Sequence, residues 1–328
     1  MRRFIKTAAA ILAVVLLVAA GVLFWRMRSP SFEPYASLSL PEGEGKAESG
    51  IRAQFFGTTT LLLGDGETSV MVDGFFTRPS LASVALGKIA PDEARIDAAL
   101  SRGNVKKVDA LLVSHSHYDH AMDSAVVARK TGALLVGSES TANIGRGAEL
   151  GEERIRIVRN GETMKVGAFE LVFYETPHSP RPVFPGEIEA PLRPPAGSSD
   201  YKLGRTYSFL LRHPRGKILI VPSSNYVPGL FDGLGADVVF LGIATLGKQP
   251  EEFTRTYWNE VVKKSGARLA IPIHWDHFAR PLDEPLKPLP YLMDDMSRSM
   301  PLLQQLAASG SVRIAFAPVF APFVCVGN

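Results

Sequence analysis

The chain has 328 residues, 46% hydrophobic and 21% charged, a composition that excludes a disordered or fibrous protein and supplies enough apolar mass for a full core in one or two domains. Five of the 36 basic residues and none of the 33 acidic ones fall in the first 28 positions, so 31 basic residues face 33 acidic ones in the rest, formally −2. That balance argues against a nucleic-acid partner, which calls for a basic face. Cys325 is alone, so no intrachain disulfide can form.

Arg2, Arg3 and Lys6 precede an uncharged stretch from Thr7 to Trp25, which Arg26 and Arg28 close. Its length is close to the ~20 residues that cross a bilayer as a helix, so residues 1–28 are expected to form an N-terminal transmembrane helix with Trp25 at the membrane interface. A signal peptide cleaved near Val18-Ala19-Ala20 is the alternative. The excess of basic residues ahead of the segment predicts a cytoplasmic N-terminus. The expected localisation is therefore the inner (cell) membrane, single-pass, with the body facing the periplasm, or a secreted or periplasmic body after cleavage. Residues 29–50, rich in Ser, Pro, Gly and Glu, read as a linker, and the body spans 51–328 without internal repeats.

The body opens with IRAQFFGTTTLLLGDGETSVMVDGFF, whose apolar runs break at Gly64-Asp65-Gly66 and predict two antiparallel strands joined by a hairpin. PDEARIDAALSR follows, with acids at its start and Ile96, Ala99 and Leu100 on one helical face. Strands, helix and strand in succession predict an α/β (α+β) body with layers packed on a sheet.

The next strand runs into LLVSHSHYDH, where three of the seven histidines crowd into six positions. Residues two apart in an extended segment point the same way, so His115 and His117 can converge on one metal ion. Asp119 and His120, where the chain turns away, can face a second. Imidazole and carboxylate are the ligands expected of zinc at hydrolytic sites.

The pattern Ser114-His115-Ser116-His117-Tyr118-Asp119-His120 after a buried strand resembles the hallmark of the metallo-β-lactamase superfamily. The resemblance covers about residues 51–328. It implies the αββα sandwich, a metal-dependent hydrolase with one or two zinc ions, and Asp119 orienting the nucleophile. A histidine at position 117, where the di-iron branch has glutamate, points to a zinc hydrolase. By the same resemblance His178, in YETPHSP, is the third ligand of the first metal, and His274, in AIPIHWDHF, joins Asp119 and His120 on the second. His277 and Tyr118 are candidates to touch substrate or support a ligand, whereas His213, in HPRGK, reads as a structural turn residue between two strands.

The superfamily commonly bridges its two metals with an aspartate, and here KILIVPSSNYVPG offers Ser223 at that place, with Asn225 and Asp232 the nearest other donors. A hydroxyl is a much weaker zinc ligand than a carboxylate, so the second site is expected to be weak. SHSHYDH with PIHW looks most like the branch holding ascorbate phosphate lactonases and the N-acyl-phosphatidylethanolamine phospholipase D group. That likeness implies a small-molecule or lipid substrate cleaved at a phosphodiester or ester bond. A lactone or amide hydrolase and a metal-binding, non-catalytic module are the alternatives. Seven prolines between residues 177 and 195 mark a long loop beside His178, of the kind that shapes a site. RIAFAPVFAPFVCV near the C-terminus reads as core strand.

Overall fold

The computed structural model describes residues 2–41 and 50–327. In chain order its strands are β1 (Ile51–Gly57), β2 (Thr60–Gly64), β3 (Ser69–Val72), β4 (Ala110–Leu112), β5 (Leu134–Gly137), β6 (Ile155–Ile157), β7 (Thr163–Val166), β8 (Phe169–Glu175), β9 (Tyr207–His213), β10 (Gly216–Val221), β11 (Val238–Gly242), β12 (Leu269–Ile273), β13 (Arg313–Ile314) and β14 (Pro322–Val326). The helices are α1 (Arg2–Arg26), α2 (Leu81–Leu86), α3 (Glu93–Arg102), α4 (Tyr118–Ala121), α5 (Ser124–Thr131), α6 (Glu139–Gly147), α7 (Glu251–Trp258) and α8 (Met296–Ser309).

Local chemistry sets these elements. Asp65 Oδ1 accepts from the amides of Glu67 at 2.9 Å and Thr68 at 2.7 Å, closing the expected hairpin between β2 and β3. The opening segment nonetheless holds three strands rather than two. The chain also reverses after β1 because Gly57 (φ +101) and Thr58 (φ +52) take up left-handed backbone. Only glycine fits at position 57, where a Cβ would stand 2.0 Å from Arg78 Nη2. Helix α3 begins at the Asp92 carboxylate, which accepts from the Arg95 amide at 3.1 Å, and it buries Ile96, Ala99 and Leu100 as their spacing predicts.

Among the described residues the strands form two seven-stranded sheets, ordered β14-β1-β2-β3-β4-β5-β6 and β13-β12-β11-β10-β9-β8-β7. Alternation along the strands divides the apolar residues. Leu61, Leu63, Val70, Val72 and Leu112 enter the core between the sheets with Phe173, Phe209 and Ile220, whereas Met71 and Leu111 turn the other way to meet Ile96, Leu100 and Val127 of α3 and α5. Trp258 of α7 and Leu303 of α8 pack on the second sheet. The result is an αββα sandwich. In each sheet three antiparallel pairings give way to three parallel ones. This brings the carboxyl ends of β3 and β4 to one edge of the first sheet, and those of β8, β10 and β12 to one edge of the second. Crevices at such ends are where α/β sheets place ligands.

The transmembrane expectation is not met. Among the described residues no helix is long and apolar enough to cross a membrane. The expected single-pass inner-membrane placement, with the body in the periplasm, loses the span on which it rested. Trp25, expected at the interface, stacks on Tyr291 of the body, ring centroids 5.0 Å apart and planes within 3°. The amides of Tyr291 and Leu292 donate to the carbonyls of Arg28 and Arg26. Beyond α1, Phe32 stacks on Trp275 at 4.8 Å, and Tyr35 and Leu40 are buried in the core, so the first half of the compositional linker lies on the body. Its remainder, 42–49, falls outside the described residues.

Candidate metal centre

The site assembles at the strand ends. Because β3 and β4 are parallel neighbours, Asp73 and Ser114 leave them side by side, and Asp73 Oδ1 accepts from the Ser114 amide at 2.7 Å. This fixes the start of the histidine run. His115 and His117 follow, His117 in extended backbone at the start of α4, which carries Asp119 and His120. His178 sits three residues beyond β8, and His274 directly follows β12 in a left-handed conformation (φ +57), its amide donating to the Thr58 carbonyl at 2.5 Å.

Two groups result. One ring nitrogen from each of His115, His117 and His178 lies within 4.8 Å of the others, and the ligand atoms of Asp119, His120 and His274 meet the same limit. All six residues named from the sequence are brought together in these two sets. Carbonyl oxygens only accept, so the contact of His117 Nε2 with the Val183 carbonyl at 2.8 Å fixes a proton on Nε2 and leaves Nδ1 unprotonated. His178 Nδ1 donates likewise to the Ser179 carbonyl at 3.1 Å and leaves Nε2. His115 Nε2 is buried with no hydrogen-bond partner. In the second set His120 Nδ1 donates to Asp73 Oδ2 at 2.8 Å, which turns Nε2 toward His274 Nε2 at 3.1 Å. Two such nitrogens cannot both present a lone pair at that distance unless a proton or cation lies between them. Asp119 Oδ2 stands 3.6 and 3.5 Å from them.

These observations match a cation-binding donor set. Burial, and then the neighbouring imidazoles, hold His115 and His274 well below the usual histidine range. Burial also lowers His117 to about 3 and His178 to about 4. All four rings are therefore neutral at physiological pH, the state in which imidazole binds metal. For His120 burial works against the charged form, but the carboxylates of Asp119 and Asp73 outweigh it and raise its pKa. Burial raises that of Asp119 in spite of His120.

Asp73 was missed in the sequence. Its signal is an acid directly after the buried run Val70-Met71-Val72; its carboxylate takes hydrogen bonds from His120, Ser114 and Thr59, and so orients a ligand it does not replace. The other candidates divide. Ser223 lines the cavity above both sets, and among the described residues the two sets share no residue. Asn225 instead donates to the His178 carbonyl at 2.7 Å, and Asp232 pairs with Lys264 at 3.6 Å. Tyr118 lines the cavity, edge-on to Phe75 and Phe278. His277 does not line it; its Nδ1 accepts from the Ala279 amide and its own amide donates to Lys287. His213 ends β9 and meets Asp65 Oδ2 at 3.2 Å, within the turn region expected for it.

The cavity measures about 350 Å³, within the ~300–1,000 Å³ range of ligand pockets. His117, Asp119, His178 and His274 form its polar floor, and Leu81, Val84, Phe184, Phe278, Leu289 and Met293 much of its wall. The proline-rich loop supplies Pro180, Arg181, Val183 and Phe184.

An αββα sandwich with two adjoining His and His/Asp sets at its strand ends defines a metal-binding protein of the superfamily the motif suggested. Residues 53–256 match the model of the metallo-beta-lactamase superfamily, and the chain belongs to that superfamily. A UPF0173 metal-dependent hydrolase of Heliobacterium modesticaldum is 30% identical over 93 residues, 28% of this chain and 32% of the relative. Another, of Christiangramia forsetii, is 31% identical over the same share of this chain and 34% of its own length. The match thus spans about a third of these relatives. The structure of Igni18, a metallo hydrolase of Ignicoccus hospitalis, superposes with a TM-score of 0.51 at 13% identity, covering 84% of this chain and 99% of that one, and so shares the fold.

Proposed function

We propose that this member of the superfamily is a metal-dependent hydrolase that holds one zinc ion on His115, His117 and His178 and a second, more weakly, on Asp119, His120 and His274. Its substrate on this reading is a small molecule or lipid-derived compound with an apolar body, cleaved at an ester or phosphodiester bond. The observation that carries the proposal is the placement of two three-residue donor sets at one mostly apolar cavity, with His117, Asp119, His178 and His274 on its floor. The relatives' description as metal-dependent hydrolases agrees with it.

Zinc bound at such a site supplies Lewis acidity and brings the pKa of water down to about 7. The chain's own residues do the rest. The Val183 and Ser179 carbonyls and the Asp73 carboxylate hold three of the imidazoles in the tautomer that leaves one nitrogen free. Asp119 lines the cavity and offers an acceptor that orients the attacking water. The apolar wall displaces solvent from the substrate's body.

The test is metal content together with hydrolysis of a panel of esters, phosphodiesters, lactones and lactams by the full chain. Zinc-dependent cleavage of an ester or phosphodiester is the expected result. Cleavage confined to lactones or amides would move the bond class, and no cleavage with both sets filled would leave a metal-binding module without catalysis.

A further inference from the structure

Two charged residues line the cavity: Asp119 at the floor, and Arg181 in the proline-rich loop. Arg181 is exposed, and its guanidinium has no hydrogen bond or ion pair among the described residues. Most other arginines near the body's surface are paired, as Arg205 is with Glu175 and Arg212 with Glu170.

Its backbone is not in a relaxed state. Arg181 has φ +61 and Phe184, three residues on, φ +46. Left-handed backbone is strained for a residue with a Cβ, and it persists only where the surroundings impose it. Here they do. Before Arg181, Ser179 Oγ accepts from the Ser224 amide at 3.0 Å. After it, the Val183 carbonyl accepts from His117, the Phe184 carbonyl from the Leu203 amide at 2.8 Å, and the Gly186 carbonyl from the Gly204 amide at 2.9 Å. A pinned, strained loop thus presents an unpaired cation to a cavity whose wall is otherwise largely apolar. Such an arrangement is suited to an anion carried on an apolar body.

We infer that the site selects amphiphilic substrates bearing an oxyanion, carboxylate or phosphate, distant from the scissile bond, and that Arg181 is the specificity-determining residue that binds it. The inference rests on the hydrolase reading above. In the reaction water adds across the acyl C–O bond, giving acid and alcohol, while the distal anion stays bound to Arg181 unchanged.

The experiment uses the zinc-loaded full chain and aryl esters of a single acyl chain ending in a methyl group, a carboxylate or a phosphate. For at least one anionic ester KM is expected about tenfold below that of the neutral ester, as one charge-assisted contact supplies. In Arg181→Gln that advantage, read as the ratio of the neutral to the anionic ester's KM within the variant, disappears, and the two anionic arms show which oxyanion is preferred. Equal KM for neutral and anionic esters in the parent, or a preference that survives in Arg181→Gln, overturns the inference; the latter places the anion on the metal. If none of these esters is hydrolysed, the ester branch of the proposed function fails. Calorimetric titration with the corresponding non-hydrolysable ethers then decides the inference separately: about tenfold tighter anion binding that Arg181→Gln removes supports it, and equal binding overturns it.

Discussion

The guanidinium of Arg78 and the carboxylate of Asp276 meet at 2.7 Å where neither side chain is exposed at all. Asp276 lies two residues beyond His274, and its Oδ1 also accepts from the Thr58 amide at 2.7 Å, while the Thr58 carbonyl accepts from the His274 amide. Arg78 reaches Thr58 Oγ1 at 3.3 Å. The pair thus fastens the turn after β12 to the turn after β1, and with it the left-handed backbone that aims His274.

Arg78→Met would leave the Asp276 carboxylate buried and uncompensated. Removing one partner of a buried pair costs about 3–5 kcal/mol. Urea unfolding of the full chain, compared with the parent, should show a loss of that size together with weaker metal binding at the His274 set. A loss below ~1 kcal/mol would mean that the pair contributes little and that other contacts hold the turn.

His117→Ala removes a ring whose Nε2 is tied to the loop and whose Nδ1 is free for metal. The expected outcome is loss of most bound zinc and of all hydrolysis, with the far-ultraviolet circular dichroism unchanged. Full activity in a folded variant would exclude His117 as a ligand.

Ser223, the residue the sequence offers in place of the superfamily's common bridging aspartate, lines the cavity, and the two donor sets share no residue among those described. One fewer anion separates two dications that repel each other. Metal titration should therefore resolve one tight and one weak equivalent, and Ser223→Asp should tighten the weak one alone. Two equally tight equivalents in the parent would contradict this account.

Asp294 supplies a pH dependence away from the metal centre. It is 2% exposed, accepts from the Gly247 amide at 2.9 Å, and burial raises its pKa to about 7. A carboxyl whose folded pKa exceeds its unfolded value stabilises the fold fully below the unfolded pKa of ~3.9, and loses that contribution as pH rises through the folded one. The loss is roughly 4 kcal/mol across pH 4–7 at ~1.4 kcal/mol per unit. Asp294→Asn, which keeps the acceptor, should flatten the fall in stability over that window and unfold at higher urea than the parent at pH 8. Parallel pH profiles for the two proteins would refute the assignment.

Much of the centre was legible in the chain because its ligands lie in short motifs at strand ends: His115 to His120 in one run, His178 after FELVFYE, and His274 after LAIPI. The helix at 93–102 was legible from the acids at its start and its apolar face. What could not be read locally depends on contacts remote in sequence. Asp73 meets His120 across 47 positions, and Thr58 meets Asp276 across 218. The strand break after Gly57 was not read because the Arg78 side chain that leaves room only for glycine there comes 21 positions later. The N-terminal apolar run was read from hydropathy, which does not report contacts such as the stacking of Trp25 on Tyr291.

The central claim is that hydrolysis depends on metal held by the His115, His117 and His178 set. The most direct measurement strips the full chain with chelator and adds zinc stepwise, following bound metal and cleavage of the ester and phosphodiester panel in the same samples. The account predicts no cleavage in the stripped protein and activity that rises with the first, tight equivalent. Equal cleavage with and without metal, or none with both donor sets filled, would contradict it.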